Sequence, residues 1–218
     1  MAMTDIAAHN GTLAAALWPQ SGKLGEMSAP ARNALLAVAG SLLLWACAKI
    51  QVPFYPVPVS MGTFAVLAIG MAYGPRLGAV TLLLYLAEGA AGLPVFANTP
   101  ERGIGLAYMM GPTGGYLVGY VLAAAAVGGL AARGWDRNVF TAAAAMLFGN
   151  ALIYIPGLFW LGVLFGWDKP ILDWGLTPFV IGDLLKLALV AAGLPLAWKL
   201  FGRRMAARQR EAIGRRFD

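Results

Sequence analysis

The chain has 218 residues, of which 60% are hydrophobic and 12% are charged, and its mean hydropathy is +0.70. A soluble domain carries about 25% charged residues, so this composition excludes an ordinary soluble core and indicates an integral membrane protein. The formal charge of +6 could suggest a nucleic-acid partner, but most basic residues lie beside or after apolar segments. Such bases are typical of cytoplasmic anchors, and we expect a lipid bilayer around the chain and no nucleic acid.

Three parts follow one another along the chain: a leader at 1–29, a membrane domain at 30–202 and a basic tail at 203–218. The leader lacks a basic start and a clean apolar core, so we interpret it as a cytoplasmic segment and not as a signal peptide. Six apolar segments predict an all-α bundle of six transmembrane helices. These segments are approximately 31–48, 59–73, 75–91, 114–132, 139–165 and 176–201.

The basic residues predict the orientation of this bundle. With six crossings, most of them fall on one side, including the seven bases at 199–216, whereas Lys49, Arg102 and Lys169 fall on the other. Because basic loops stay in the cytoplasm, both termini are predicted to be cytoplasmic. The expected location is the cell (inner) membrane, with several passes.

The loop at 51–60 links the first two segments on the outer side. Its three prolines make it stiff and extended, and it also carries aromatic side chains. Two interpretations stay open: the loop belongs to an interfacial aromatic belt, or it forms a lid over an outward-facing pocket.

A second outer connection, at 91–116, is long and unusually apolar, so we expect it to fold back over the helix ends. Asn98 in this connection could offer a donor and an acceptor to a ligand amide or urea, or could simply be a turn residue. Glu88 lies near the outer end of the third segment, with Tyr85 on the same helical face. Glu88 could pair with Arg102 or with loop N–H groups, or it could line the pocket.

The sixth segment contains two opposite charges, Asp183 and Lys186, three residues apart in an apolar stretch. This spacing places them on one face of a helix. Charged groups inside membrane segments are rare because their desolvation costs several kcal/mol unless they are paired or hydrated. We therefore predict a polar ligand site that opens outward, with Asp183 about 10 Å below the outer edge. The alternative is that the two charges only pair with each other.

Five blocks of sequence, in order, resemble the BioY family, the biotin-specific substrate-binding components (S-components) of energy-coupling-factor (ECF) transporters. The resemblance extends from about residue 43 to about residue 200. Its blocks are QVPF with PVPVS (51–60), GPRLG (74–78), GLPVF (92–96), GPTGGY (111–116) and GDLLK (182–186).

This resemblance implies a six-helix S-component fold that binds biotin from outside, as a transported ligand and not as a cofactor. It also implies partners, namely a transmembrane coupling protein and two cytoplasmic ATPase subunits, although a solitary carrier stays open. In the family, the acid and the base of the last block belong to the biotin site, which here are Asp183 and Lys186. The resemblance further implies Asn98 near the ureido ring, with Gly92 close by, and Tyr85 as a wall residue.

Small residues on the first helix of S-components contact the coupling subunit, and Ala34, Ala37 and Ser41 offer such a face here. Packing within the monomer is an equal alternative for these three residues.

Two other classes of protein are possible. A secondary transporter usually shows internal repeats and broken helices at the midplane, and the Gly-Pro helix starts near Pro75 and Pro112 are too short to count as a repeat. A secondary transporter that works without a coupling module stays the alternative. A membrane enzyme needs a catalytic motif, and the chain has no Walker A loop, no Gly-x-Ser-x-Gly and no His-Glu-x-x-His. The single His9 and the single Cys47 provide neither a metal cluster nor an intrachain disulfide. We therefore expect a transport protein and not an enzyme.

Overall fold

The computed structural model describes residues 12–14 and 27–214, with side chains described as far as residue 199. Most of the predicted leader and the last residues of the predicted tail lie outside the described residues. The described chain is mainly helical, as predicted. Its helices are α1 (Ala29–Lys49), α2 (Gly62–Tyr73), α3 (Pro75–Ala90), α4 (Gly105–Met109), α5 (Gly114–Ala131), α6 (Val139–Phe165), α7 (Ile171–Gly175) and α8 (Thr177–Gly214).

Each predicted apolar segment contains one of the longer helices, and the short helices α4 and α7 lie in the connections. The structure adds a small hairpin, because β1 (Gln51–Val52) pairs antiparallel with β2 (Val59–Ser60). The proline-rich residues 53–58 form its tip. The hairpin turns the predicted outer loop back towards the N-terminal end of α2.

By length and composition, four helical regions of the described chain could cross a membrane. These regions are Ala29–Lys49, Gly114–Ala131, Val139–Phe165 and Ile171–Lys199. α2, with 12 residues, and α3, with 16 residues, are shorter.

α8 extends further than its apolar sequence. The sixth apolar segment was predicted to end near residue 201, whereas the helix continues to Gly214. The residues beyond 201 include alanine, arginine, glutamine and glutamate, which have high intrinsic helix propensity, so the helix need not end where the apolar sequence ends.

α5 is the central helix, packed against α2, α3 and α6. Two glycines let the backbones approach closely. A Cβ at Gly119 would lie 2.7 Å from Ile153 Cα, and a Cβ at Gly70 would lie 2.8 Å from Ala124 Cα. Close approach through glycine is typical of membrane helices. Here it brings the N-terminal end of α5 next to the middle of α6.

At the other end of the bundle, a 3-10 helix (Trp135–Arg137) lies in the connection between α5 and α6 and contacts α8. Trp198 Nε1 donates to Asp136 Oδ2 at 2.5 Å, and the Arg137 guanidinium lies 5.0 Å from the Trp198 ring centroid. Burial raises the pKa of Asp136 above its ordinary value, although the Trp198 hydrogen bond and the charge of Arg137 act in the opposite direction. This group, Asp136, Arg137 and Trp198, is called the α8 anchor below.

Candidate functional site

A cavity lies at the end of the bundle where α2, α5 and α8 begin. The hairpin and residues 96–97 cover part of it, and α3 and α6 complete its walls. Its lining is rich in aromatic residues. The aromatic side chains are Tyr85, Phe96, Tyr108, Tyr116, Tyr120, Tyr154 and Phe179. Such walls suit a flat apolar group and leave orientation to a few polar contacts.

Lys186 is the cation of this cavity, and it is buried, with 8% of its surface exposed. Its ammonium lies 2.9 Å from Asp183 Oδ1, forming an ion pair within one turn of α8. The same nitrogen donates to the Ser60 carbonyl oxygen at 2.6 Å and to Thr63 Oγ1 at 3.1 Å. An ammonium has three N–H groups, so each has an acceptor.

Asp183, 5% exposed, is equally well satisfied. Besides the bond from Lys186, Oδ1 accepts from the Thr63 hydroxyl at 3.1 Å, while Oδ2 accepts from the Tyr154 hydroxyl. A buried charge is tolerated when it is both paired and hydrogen-bonded. The pair therefore links α8 to α2 and α6 at the edge of the cavity.

The aromatic wall is held in place by backbone acceptors. Phe96 lies between two tyrosines, edge-on to Tyr85 at 5.3 Å and stacked on Tyr108 at 5.1 Å. Tyr85 donates to the Val95 carbonyl oxygen and Tyr108 to that of Ala97. Burial raises the pKa of the Tyr108 hydroxyl, while the charge of Arg102 opposes this increase. These contacts fix the position of residues 95–97 over the cavity.

Two further contacts secure the same loop. Lys49 donates to the carbonyl oxygens of Phe96 and Thr99 and to Thr99 Oγ1, at 2.7–3.0 Å. Gln51 and Asn98 form a reciprocal pair, because Gln51 Nε2 donates to Asn98 Oδ1 at 2.7 Å while Asn98 N donates to Gln51 Oε1 at 3.0 Å. Lys49 at the end of α1 and Gln51 in strand β1 therefore both hold this loop in place.

The predicted site residues fall into two groups in this structure. Tyr85 and Lys186 line the cavity, and Asp183 adjoins it through Lys186. Asn98, Gly92 and Glu88 lie outside the cavity lining. They remain predictions as ligand contacts.

The three residues outside the lining have local structural partners or conformations. Asn98 has a φ of 54° and Gly92 a φ of 95°, so both occupy turns in the left-handed region. Glu88 accepts from Ser41 Oγ at 2.9 Å, a partner that was not among the predicted alternatives. Arg102 donates instead to the Pro56 carbonyl oxygen at 3.0 Å.

The sequence did not identify most of the aromatic lining, namely Phe96, Tyr108, Tyr116, Tyr120 and Phe179. It also missed Thr63, Tyr154 and Lys49. Tyr154 lies in a mainly apolar segment, which could have marked it. Thr63 and Lys49 carried no comparable signal, because their partners are distant in the chain.

The small residues of α1 are divided between two environments. Ala37 and Ser41 are buried, with 5% and 0% of their surfaces exposed, whereas Ala34 is exposed. Packing within the monomer therefore accounts for Ala37 and Ser41. A contact with a coupling subunit through Ala34 remains a prediction.

Comparison with known proteins gives consistent matches. The model of the BioY family matches residues 20–203. A relative from Pyrococcus horikoshii named probable biotin transporter BioY is 36% identical over 141 residues, which cover 65% of this chain and 80% of that protein. The biotin transporter BioY of Thermotoga maritima is 35% identical over 144 residues, covering 66% of this chain and 82% of that protein.

A solved structure supports the fold. The crystal structure of an S-component for biotin from an ECF-type ABC transporter superposes with a TM-score of 0.64, covering 79% of this chain and 95% of that one. The sequence identity is 22%, so this likeness concerns the fold alone.

Proposed function

Because the chain belongs to the BioY family, we propose that it captures biotin on the outer side of the membrane and delivers it to the cytoplasm with an ATPase-driven coupling module. Its relatives are named transporters, so the expectation that the chain is not an enzyme is confirmed.

The observation that carries the proposal is the combination of an aromatic cavity and one buried ammonium in its wall. Biotin consists of a urea ring, an apolar thioether bicycle and a carboxylate tail. The aromatic walls suit the bicycle, and Lys186 suits the carboxylate, with Asp183 orienting the ammonium. A charged ligand group in a buried site needs such a partner.

The urea ring is assigned to the loop at 92–98. Asn98 offers a side-chain amide, of which Oδ1 already accepts from Gln51. No hydrogen bond described in the structure uses Asn98 Nδ2, so this group can donate to the ureido oxygen if the loop moves towards the cavity. Gly92 and Glu88 stay predicted members of the same site, and neither lines the cavity in this structure.

Six crossings with both termini in the cytoplasm make up the proposed topology. Two observations support this topology. α2 and α3 would add two crossings to the four longer helical regions. Most basic residues lie on the side of the membrane that this topology makes cytoplasmic. In this orientation the cavity opens outward and the α8 anchor faces the cytoplasm.

Equilibrium binding of radiolabelled biotin to the purified, detergent-solubilised chain tests the proposal. The intact chain should bind saturably, and Lys186→Ala and Asp183→Asn should each weaken binding. Full affinity in both variants would show that the two residues do not contribute to the site. If the intact chain did not bind biotin, biotin would not be its ligand.

The proposed partners are a transmembrane coupling protein and two ATPase subunits, with a solitary carrier as the alternative. Purification of the tagged chain from its native membrane separates these possibilities. Co-purifying ATPase subunits support the module, whereas biotin uptake by liposomes that contain the chain alone supports the solitary mode.

A further inference from the structure

A second, open hollow lies beside the aromatic cavity, between the tip of the hairpin and the segment at 102–113. We call it the vestibule. Its main lining residues are Tyr55, Pro56, Pro58, Arg102, Tyr108 and Thr113.

The vestibule and the cavity share part of their walls. Pro58, Tyr108 and Thr113 line both spaces. Each of the three is buried, so they form a single layer of side chains between the two. A solute in the vestibule is therefore one residue layer away from the aromatic cavity, on the side covered by the hairpin and the loop.

Arg102 is the charged residue of the vestibule. Its Nη1 donates to the Pro56 carbonyl oxygen at 3.0 Å, and its guanidinium lies 5.7 Å from the Tyr55 ring centroid. The side chain is exposed, and a guanidinium has five N–H donors, of which this bond uses one. The guanidinium thus retains most of its hydrogen-bonding capacity while its orientation is fixed.

No acid neutralises this charge among the described residues. The ion pairs found there are Lys169 with Asp168 and Lys186 with Asp183. The neighbouring Glu101 is exposed and forms no ion pair with Arg102. The vestibule therefore presents a planar cation whose geometry suits a carboxylate.

We propose that Arg102 and the vestibule form an outer binding position for the carboxylate of an incoming ligand, which the ligand occupies before it enters the aromatic cavity. This inference rests on the proposed function, since it takes biotin as the ligand. Two cations then lie in series, Arg102 in the vestibule and Lys186 in the cavity wall. The outer cation raises the local concentration of an anionic solute, and so acts on the rate of association.

The test compares three variants of the full chain in detergent, using rapid filtration with radiolabelled biotin at several salt concentrations. Arg102→Gln removes the charge, Arg102→Lys keeps the charge but loses the planar fork, and Lys169→Gln removes another exposed cation, one that does not line the vestibule. Association and dissociation rate constants are measured separately.

We expect Arg102→Gln to lower the association rate constant by about threefold to tenfold and to flatten its dependence on salt. The dissociation rate constant should remain within about twofold. Arg102→Lys should keep the salt dependence, and Lys169→Gln should behave like the unmodified chain.

Two outcomes would overturn the inference. Unchanged association by Arg102→Gln would show that the charge is not used. A second such result is that Arg102→Gln and Arg102→Lys have equal effects, mainly on dissociation, and leave the salt dependence intact. Arg102 would then only stabilise the hairpin tip through its bond to Pro56. If the unmodified chain failed to bind biotin, the proposed function itself would fall, and this inference with it.

Discussion

Two buried carboxylates form contacts with side chains of α8, and they are stabilised in different ways. One belongs to α8 itself and the other to the 3-10 helix. Asp183, near the start of the helix, has an ammonium partner in Lys186 at the edge of a cavity. Asp136 contacts the same helix about four turns further along, where it accepts from the Trp198 indole. Neither Asp136 nor Trp198 lines the aromatic cavity. A charge pair beside a cavity can exchange a partner for a ligand group, whereas a carboxylate held by an indole can only connect two elements.

The largest expected effect tests the first half of this comparison. Lys186→Met should lower biotin affinity by about 100-fold or more, because it removes the proposed carboxylate partner and leaves Asp183 buried without its cation. Breaking a buried pair costs about 3–5 kcal/mol. The measurement is equilibrium binding at fixed protein concentration, with Lys169→Met as a control for loss of an exposed cation.

The double variant Asp183→Asn with Lys186→Met separates ligand binding from helix packing. It removes both charges, so the thermal midpoint should recover relative to Lys186→Met while binding stays weak. Recovery of both quantities together would mean that the pair only holds the helices together.

Tyr154→Phe should have a smaller effect on the same cluster. The substitution leaves Asp183 Oδ2 without its tyrosine donor but keeps the ion pair with Lys186. A hydrogen bond to a charged group contributes about 1.5–3 kcal/mol, so affinity should fall by about tenfold to a hundredfold. Isothermal titration with biotin measures this change. An unaltered affinity would show that Asp183 does not depend on α6 for its orientation.

Trp198→Phe tests the α8 anchor and should reverse the pattern of effects. It removes the donor to Asp136, which should cost about 1–3 kcal/mol and lower the thermal midpoint by several degrees. Biotin affinity should stay within about twofold, because the anchor lies away from the cavity. A loss of affinity as large as that of Tyr154→Phe would contradict the separation of the two carboxylates.

The smallest expected effect concerns pH. The pKa of Asp136 is raised in the folded chain, so its contribution to stability is greatest at low pH and is lost as the pH rises through the raised value. Asp136→Asn stays neutral, so its thermal midpoint relative to the unmodified chain should increase by a few degrees as the pH rises above about 4. Asp173→Asn, at an exposed position, is the control. A difference between the chains that does not vary with pH would show that Asp136 does not titrate in this window.

Much of the helical framework could be predicted from hydropathy and turn residues. α3 begins at Pro75, where the third apolar segment was predicted to begin, and directly after Gly74 with its φ of 81°. The extension of α8 was missed because hydropathy marks the apolar part of a helix and not its end. The hairpin strands, with 2 residues each, and the short helices, with 5 residues each, are too short to show an apolar periodicity.

The site was only partly predictable, for a physical reason. The spacing of Asp183 and Lys186 predicts that they share a helical face, and they form an ion pair at 2.9 Å. Their contacts with Thr63 and Tyr154 join residues 29 to 123 positions apart, which no local pattern reveals. Asn98 likewise has Gln51 as partner, 47 positions away.

The complete set of acceptors around Lys186 has a consequence for how the pocket fills. An arriving anion finds no vacant proton, so it must replace the Ser60 carbonyl, the Thr63 hydroxyl or Asp183. The free energy gained when the anion binds is then the difference between its bond to Lys186 and the bond that it replaces, and not the full energy of a new hydrogen bond. Ser60 belongs to β2, so displacing its carbonyl would remove the bond that holds the base of the hairpin to α8. Loading the pocket and loosening its cover would then be a single exchange.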